Sequence, residues 1–474
     1  LARLVVVSNR VGLPTREDKR AGGLEVVIRA ALRRNSGLWF GWSGRVAQGP
    51  PATQTIDRGD HAYVVMDLTD EEYQEYYNGF ANRVLWPILH YRLDLAEFSR
   101  RDLTGYRRVN ERFAAELAAL LQPDDLIWVH DYHLMPLARA LRERGYRNRI
   151  GFFLHTPLPP PEILTALPNH ERLVPSLCEY DLVGFQTDGD AANFARYLRE
   201  ECRLPSRDAN TFIVGDRSVR IGAFPVGIET AQFNRTARRA IRSSFVREVL
   251  DSLAQRVMII GVDRLDYSKG LLLRLEAYER FLSNYPHWRG HVTYLQIAPR
   301  SRSEIREYSD LERQLSEAAG RINGRYGEAS WTPIRYVNRA YSRAALAGLY
   351  RGARVGLVTP LRDGMNLVAK EYVAAQDPED PGVLILSRFA GAAVELDTAL
   401  LVNPYDPETV ATALAHALAM PLEERRARQR ALYQVLEAND IRYWADRFLT
   451  ALTARPRGFP YWYGEMGSSA VGVP

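Results

Sequence analysis

Residues 355–376, VGLVTPLRDGMNLVAKEYVAAQ, decide how this chain reads. The opening VGLV is apolar throughout, as a strand covered on both faces is, and does not alternate like a strand with one wet face. Pro360 and the Asp363-Gly364 pair break the run. From about Asn366 the apolar positions fall at helical spacing. Buried strand, turn and helix together form the repeating unit of a doubly wound α/β sheet. The turn offers backbone N–H groups at the positive end of a helix dipole, which suits a diphosphate. Gly364 lets the backbone come close to a ligand, and the Glu371 carboxylate, farther down the helix, suits ribose hydroxyls. A plain strand–turn–helix capped by Asp363 fits the same residues.

The rhythm recurs. Strands are expected at residues 4–8, 126–130, 150–155, 182–186, 257–262, 292–298, 355–359 and 383–387, most of them followed by helical patterns such as GLLLRLEAYERFL. A strand-like run ends at Ile228, and a charged helix leads to a fresh strand at Val257. The expected organisation is two Rossmann-like, doubly wound α/β lobes. These lobes span residues 1–230 and 231–440. Residues 441–474 follow and end in a tail rich in Pro, Gly and Ser.

The bulk composition narrows the function classes. The chain has 474 residues, 46% hydrophobic and 25% charged, which suits globular domains rather than a disordered tail. No apolar run reaches membrane-span length, and LARLVVVSNR reads as a first strand rather than a signal peptide. Two cysteines, Cys178 and Cys202, allow at most one bridge and suit a reducing cytoplasm. The net charge of +5 is small for this length, and Arg alternates with Asp and Glu along the helices, so no nucleic-acid partner is expected. Lysine is scarce: only Lys19, Lys269 and Lys370 stand among 62 Lys plus Arg.

Ligands of open α/β sheets bind beyond the carboxyl ends of the strands. There the sequence places Asn9-Arg10, Asp131 to His133, His155-Thr156, Asp263-Arg264, Arg300, Arg302 and Arg362 to Asn366. In GVDRLDYSKG, Arg264 and Lys269 flank a turn and suit an anionic leaving group. Solvated surface cations are the plainer reading, which the scarcity of lysine argues against. Gly22 and Gly23 in AGGL open a helix near which phosphate fits, although a Gly-Gly pair alone signals only a loop. His130, Asp131 and His133 favour a polar substrate contact over a metal, because neighbours at a strand end point apart. Asp188 and Asp190 in DGD imitate a metal motif, yet precede a helix as caps do. Tyr76, Tyr77 and Trp86 fit a core stripe and a sugar-binding wall equally well.

Over residues 1–455 the chain resembles the trehalose-6-phosphate synthases, retaining glycosyltransferases of the two-lobed GT-B fold. The motifs VVVSNR, AGGL, GLWFGWSG, EYYNGFANRVLWPILHYR, IWVHDYHLMPLA, IGFFLHTP, YDLVGFQT, GVDRLDYSKG, AGRINGRYG, TPLRDGMNLVAKEYVAAQ and VNPYD occur in family order. The resemblance implies transfer of glucose from UDP-glucose to glucose 6-phosphate, giving α,α-trehalose 6-phosphate and UDP, with the active site in the cleft between residues 1–230, the acceptor lobe, and 231–440, the nucleotide-sugar lobe, and with a helix in 441–474 crossing back to the first lobe before the tail. It assigns Arg10, Tyr77, Trp86, Asp131 and Arg302 to the acceptor, and Trp86 and Thr156 to choice of its anomer. The donor contacts it implies are Gly22, Gly23, Arg264, Lys269, Tyr341, Asp363, Gly364, Met365, Asn366, Leu367, Val368, Ala369, Lys370 and Glu371. Asp131, His155, Arg264, Lys269 and Asp363 surround the reacting atoms. No protein nucleophile, metal or cofactor is implied. Neither is a membrane or nucleic-acid partner. A cytoplasmic homo-oligomer, dimer or tetramer, is expected, with a separate trehalose-6-phosphate phosphatase acting downstream. A pseudo-glycosyltransferase joining cyclitols and an inactive sugar-phosphate sensor are the rival readings. Leu158 and Tyr341 depart from residues common in the family.

Overall fold

Two sheets organise the computed structural model, which describes residues 2–13, 28, 32, 37–57, 59, 61–300 and 306–454. The first sheet contains β1 (Leu4–Arg10), β2 (Gly37–Val46), β3 (Thr53–Asp57), β4 (His61–Leu68), β5 (Leu126–His130), β6 (Arg149–Phe153), β7 (Leu182–Phe185), β8 (Ser206–Asp208), β9 (Thr211–Val214) and β10 (Arg217–Ala223). Its order is β3-β4-β2-β1-β5-β6-β7-β10-β9-β8, parallel from β4 through β10 with antiparallel edges. The second sheet contains β11 (Val257–Val262), β12 (Val292–Ile297), β13 (Ile334–Val337), β14 (Val355–Val358), β15 (Val383–Ser387) and β16 (Leu400–Val402). It is parallel throughout, in the order β13-β12-β11-β14-β15-β16. Both orders reverse direction at an internal pair, β1/β5 and β11/β14. Loops diverge at such a switch point and open a crevice.

The parallel strands are legible in sequence because helices cover both faces and leave apolar runs: β5, β11 and β15 match the expected spans. β2, β3, β4, β8, β9, β13 and β16 were not expected. In β2, GLWFGWSGRV, three glycines mimic a loop, and β3 and β8 are edge strands with almost no buried residue. The run expected to end at Ile228 leaves the sheet at Ala223.

The helix Ile441–Thr453 returns to the first sheet, where Phe448 and Trp444 are buried against Trp128 at ring-centroid distances of 4.8 and 4.7 Å. Gly151 and Gly184 form its slot: a Cβ at either would lie 2.8 or 2.7 Å from the Phe448 ring. Burying one such ring is worth about 1.5–3 kcal/mol, so this helix ties the lobes together. Arg149 donates to the carbonyls of Leu452 and Ala454 at its end. Cys178 and Cys202 are both free thiols. The tail, and with it residues 455–474, lies outside the described residues.

Candidate active site between two switch points

The loops after β11 and β14 build one wall. Beyond β11, the Asp266 carboxylate accepts the backbone N–H and the hydroxyl of Ser268 at 3.0 and 2.9 Å, folding a single tight turn that carries Lys269. Arg274, fully buried in the following helix, donates to Asp263 at 2.6 Å, to the Lys269 carbonyl at 3.1 Å and to Thr359 Oγ1 at 2.9 Å. One guanidinium thus pins both loops. Sequence reasoning missed it. The available signal was an arginine on the buried face of the apolar helix LLLRLEAY.

Lys269 Nζ lies 2.5 Å from Asp363 Oδ2, which also accepts from Asn366 Nδ2 at 3.0 Å. Burial alone would raise the Asp363 pKa, but Lys269 and the Asn366 amide outweigh it and hold the carboxyl below its usual range. The helix Leu367–Ala375 is capped by Asn366, whose Oδ1 accepts the Ala369 N–H at 3.0 Å, and not by Asp363. Gly364 does permit a close approach, but to protein: a Cβ there would sit 2.1 Å from the His155 carbonyl oxygen of the other lobe. Glu371 lies on this helix with Arg343 Nε at 3.3 Å. Burial raises its pKa, and Arg343 opposes the rise. Tyr341 is half-buried, its ring 5.2 Å from Phe245.

Lys370, expected among the donor contacts, has its side chain turned into the protein. It is fully buried, with Nζ 2.8 Å from the Val226 carbonyl and 2.5 Å from Glu395 Oε2. Burial lowers its pKa and Glu395 pulls it back up. Its ammonium joins the end of the first lobe to the second.

The opposite wall comes from the first sheet's switch point. Arg10 ends β1, exposed, and Asp131 follows β5. Asp131 has φ 75° and ψ 164°, a region nearly confined to glycine. Its Oδ1 accepts the His155 N–H at 3.2 Å. A non-glycine residue held there by its surroundings is the mark of a functional turn. His155 Nε2 faces His130 Nδ1 at 3.1 Å. Burial pushes the His155 pKa down to about 3, so its ring is neutral and serves as a hydrogen-bonding group, not a cation. Thr156 Oγ1 is buried with no partner among the described residues.

Tyr76, Tyr77 and Trp86 divide their roles. Tyr76 is core, its hydroxyl 2.8 Å from Asn9 Oδ1. Tyr77 is half-buried, its ring lying nearly parallel to His133 at 5.9 Å and 5.3 Å from Trp42. They lie on a wide helix, Tyr73–Leu85, with π-type turns. Such turns are rare and often mark functional positions. Trp86 follows, and the Arg264 guanidinium stands 5.5 Å over its ring from the other lobe.

The structure therefore joins Asp131 to His155, His155 to Gly364, Asp363 to Lys269, and Trp86 to Arg264 across one cleft. Gly22, Gly23 and Arg302 lie outside the described residues. Arg300 is exposed and pairs with Glu312 at 2.7 Å. In DGD the cap is Thr187, whose hydroxyl accepts the Asp190 N–H at 3.1 Å. The Asp190 carboxylate instead accepts from the Leu158 N–H at 2.9 Å and the Thr187 hydroxyl at 2.6 Å. Among the described residues, no three His, Cys, Asp or Glu side chains are grouped to hold a metal ion.

The model of glycosyltransferase family 20 matches residues 3–454. A trehalose-6-phosphate synthase of Sinorhizobium fredii is 53% identical over 96% of this chain and 99% of its own. An α,α-trehalose-phosphate synthase (UDP-forming) of Burkholderia xenovorans, solved in complex with glucose 6-phosphate, superposes with a TM-score of 0.93 at 48% identity, covering 96% of this chain and all (100%) of the other. The Escherichia coli enzyme bound with UDP-2-fluoro glucose superposes with a TM-score of 0.91 at 47% identity, over 96% and 100% of the two chains.

Proposed function

The chain belongs to glycosyltransferase family 20, and on that footing we propose that its cleft moves glucose from UDP-glucose to glucose 6-phosphate, releasing α,α-trehalose 6-phosphate and UDP. The observation that carries this reading is the convergence of two switch points. Lys269, Asp363 and the helix beginning at Leu367 stand on one side, and Asp131 and His155 on the other. Similar chains are trehalose-6-phosphate synthases, with structures holding glucose 6-phosphate or a UDP-glucose analogue. The rival readings, cyclitol joining or an inactive sensor, would require changes at Asp131, His155 or Asp363, and all three are in place.

The chemistry follows from where charge grows. As the bond from glucose to diphosphate breaks, negative charge develops on the diphosphate oxygens. An ammonium has three N–H donors, and Asp363 takes one from Lys269. The others are available to the leaving group, together with Arg264 and the N–H groups at the Leu367 helix end. Asp363 and the neutral His155 bound the transferred glucose, and Asp131 holds the acceptor with Arg10, Tyr77 and Trp86. The Asp363 carboxylate is not poised as an unencumbered nucleophile, since it is tied to Lys269 and Asn366. Retention, with the leaving diphosphate taking the acceptor's proton on the same face, is the reaction course this arrangement suits. Positioning and charge stabilisation then supply the catalysis.

The same reading makes the enzyme metal-independent, cytoplasmic and oligomeric, with a separate phosphatase acting on its product. No described helix is long and apolar enough to cross a membrane. The test is UDP release from purified protein. It should require UDP-glucose and glucose 6-phosphate together. Release that ignores glucose 6-phosphate would contradict the acceptor assignment.

A further inference from the structure

Three consecutive residues of the first lobe, His90, Tyr91 and Arg92, reach the second lobe at the turn that carries the reacting groups. The Arg362 guanidinium lies 4.1 Å over the Tyr91 ring and 5.0 Å from the Phe389 ring, so it is sandwiched between the lobes. The Arg92 guanidinium lies 5.5 Å over Tyr267, beside Lys269. His90 is buried, with Nδ1 2.8 Å from the Trp86 carbonyl. It lies within electrostatic reach of Asp266, Lys269 and Asp363. Tyr91 has φ 63°, a left-handed backbone that a bulky residue adopts only when its surroundings impose it.

Among the described residues Arg362 makes no ion pair, although its charge reaches the buried Asp190 of the first lobe and opposes the rise that burial gives that carboxyl's pKa. Its Nε is buried and has no hydrogen-bond partner among the described residues. The Leu361 and Arg362 N–H groups donate to the Ser268 carbonyl at 2.8 and 3.4 Å, so Arg362 is anchored to the Lys269 turn through its backbone. The next residue is Asp363. A planar guanidinium is suited to two aromatic faces at once, which an ammonium is not.

We propose that Arg362 is a positioning residue for glucosyl transfer: by stacking on Tyr91 it latches the lobes together and fixes Asp363, and hence Lys269, against the acceptor wall. The inference rests on the function proposed above. The latch is carried by opposite lobes, so it breaks when the cleft opens, and its strength sets how much of the enzyme is aligned for transfer.

The test is a double-mutant cycle in the full chain, with wild-type turnover measured first. Tyr91→Phe keeps the aromatic face and should retain activity within about twofold. Tyr91→Leu and Arg362→Ala should each lower kcat/KM by about three- to thirtyfold, the range of a desolvated cation–π contact. Arg362→Lys should not rescue. The double variant Tyr91→Leu/Arg362→Ala should lose no more than the worse single variant. Small-angle X-ray scattering with UDP and glucose 6-phosphate present should show a larger radius of gyration for Arg362→Ala than for wild type, while the thermal midpoints of the unliganded proteins stay close. Additive losses, or an unchanged radius, would overturn the latch and make Arg362 a residue that acts without Tyr91. An inactive wild type would instead overturn the function, and the scattering comparison would still decide the latch.

Discussion

Lys269 Nζ stands 2.5 Å from Asp363 Oδ2, joining the loops after β11 and β14 at the switch point of the second sheet. In a chain that uses arginine almost everywhere, this lysine occupies a tight turn with its side chain only 11% exposed, where a longer planar group has little room. Lys269→Ala should cost about 2–4 kcal/mol of transition-state stabilisation, as does loss of one oxyanion donor. Lys269→Arg should keep the fold and lower kcat. The pH profile adds a signature. Lys269 helps hold the Asp363 pKa down against burial, so the acid limb of kcat/KM should move to higher pH in Lys269→Ala. Wild-type turnover by Lys269→Arg would show that the lysine serves no chemistry.

The other described lysine predicts the opposite behaviour. Lys370 is buried between the Val226 carbonyl and Glu395. Lys370→Met leaves the Glu395 carboxylate without its cation, still accepting from Asn439 Nδ2 at 3.1 Å, and should cost about 3–5 kcal/mol of stability, as breaking a buried pair does. The KM for UDP-glucose should change little in the folded fraction. A large rise in that KM with an unchanged melting temperature would return the Lys370 ammonium to the donor.

Asp131 stores backbone strain at φ 75°. Asp131→Gly relieves it and Asp131→Ala does not, so the glycine variant should be the more stable by about 1–3 kcal/mol. Both should lose acceptor use, because both lack the carboxylate. Equal denaturation midpoints for the two variants would place the strain elsewhere.

Two buried imidazoles link stability to pH. Burial lowers the His155 pKa to about 3 and that of His90 to about 4, from 6.5. Between those values and 6.5 the unfolded chain binds more protons than the folded one, so stability falls as pH falls. Each group contributes a slope of about 1.4 kcal/mol per pH unit there. Melting temperatures from pH 7.5 to 4.5 should drop less steeply for His90→Gln than for wild type. Parallel curves would show that His90 is not buried neutral.

Activity should survive exhaustive EDTA treatment, because Lys269, Arg264 and the Leu367 helix end already offer positive charge to the diphosphate. Turnover lost on chelation and restored by Mg²⁺ would contradict this.

In the first sheet β1, β5, β6 and β7, and in the second β11, β12, β14 and β15, were legible in the sequence. Helices on both faces force apolar runs such as VMIIGV and VLILS, and polar residues concentrate where those strands end. Edges were not: β3 and β8 lie exposed and carry no burial pattern. Among site residues, the type and place of Lys269, Asp363 and Asp131 could be read locally, because each sits in a turn after a strand. Arg274 and Lys370 could not be placed, since each is defined by partners on other elements. The contact of Gly364 with the His155 carbonyl, more than two hundred residues away in sequence, could not be read locally either. The Arg362–Tyr91 stack is likewise a product of the two lobes meeting.

The most direct test of the central claim is the structure of the product. Purified protein given UDP-glucose and glucose 6-phosphate should yield UDP and one phosphorylated disaccharide, whose proton NMR spectrum shows both anomeric centres α, joined through their anomeric oxygen, with the phosphate still attached. A β-configured centre, a linkage elsewhere on the acceptor, or release of free glucose in place of a disaccharide would contradict the account.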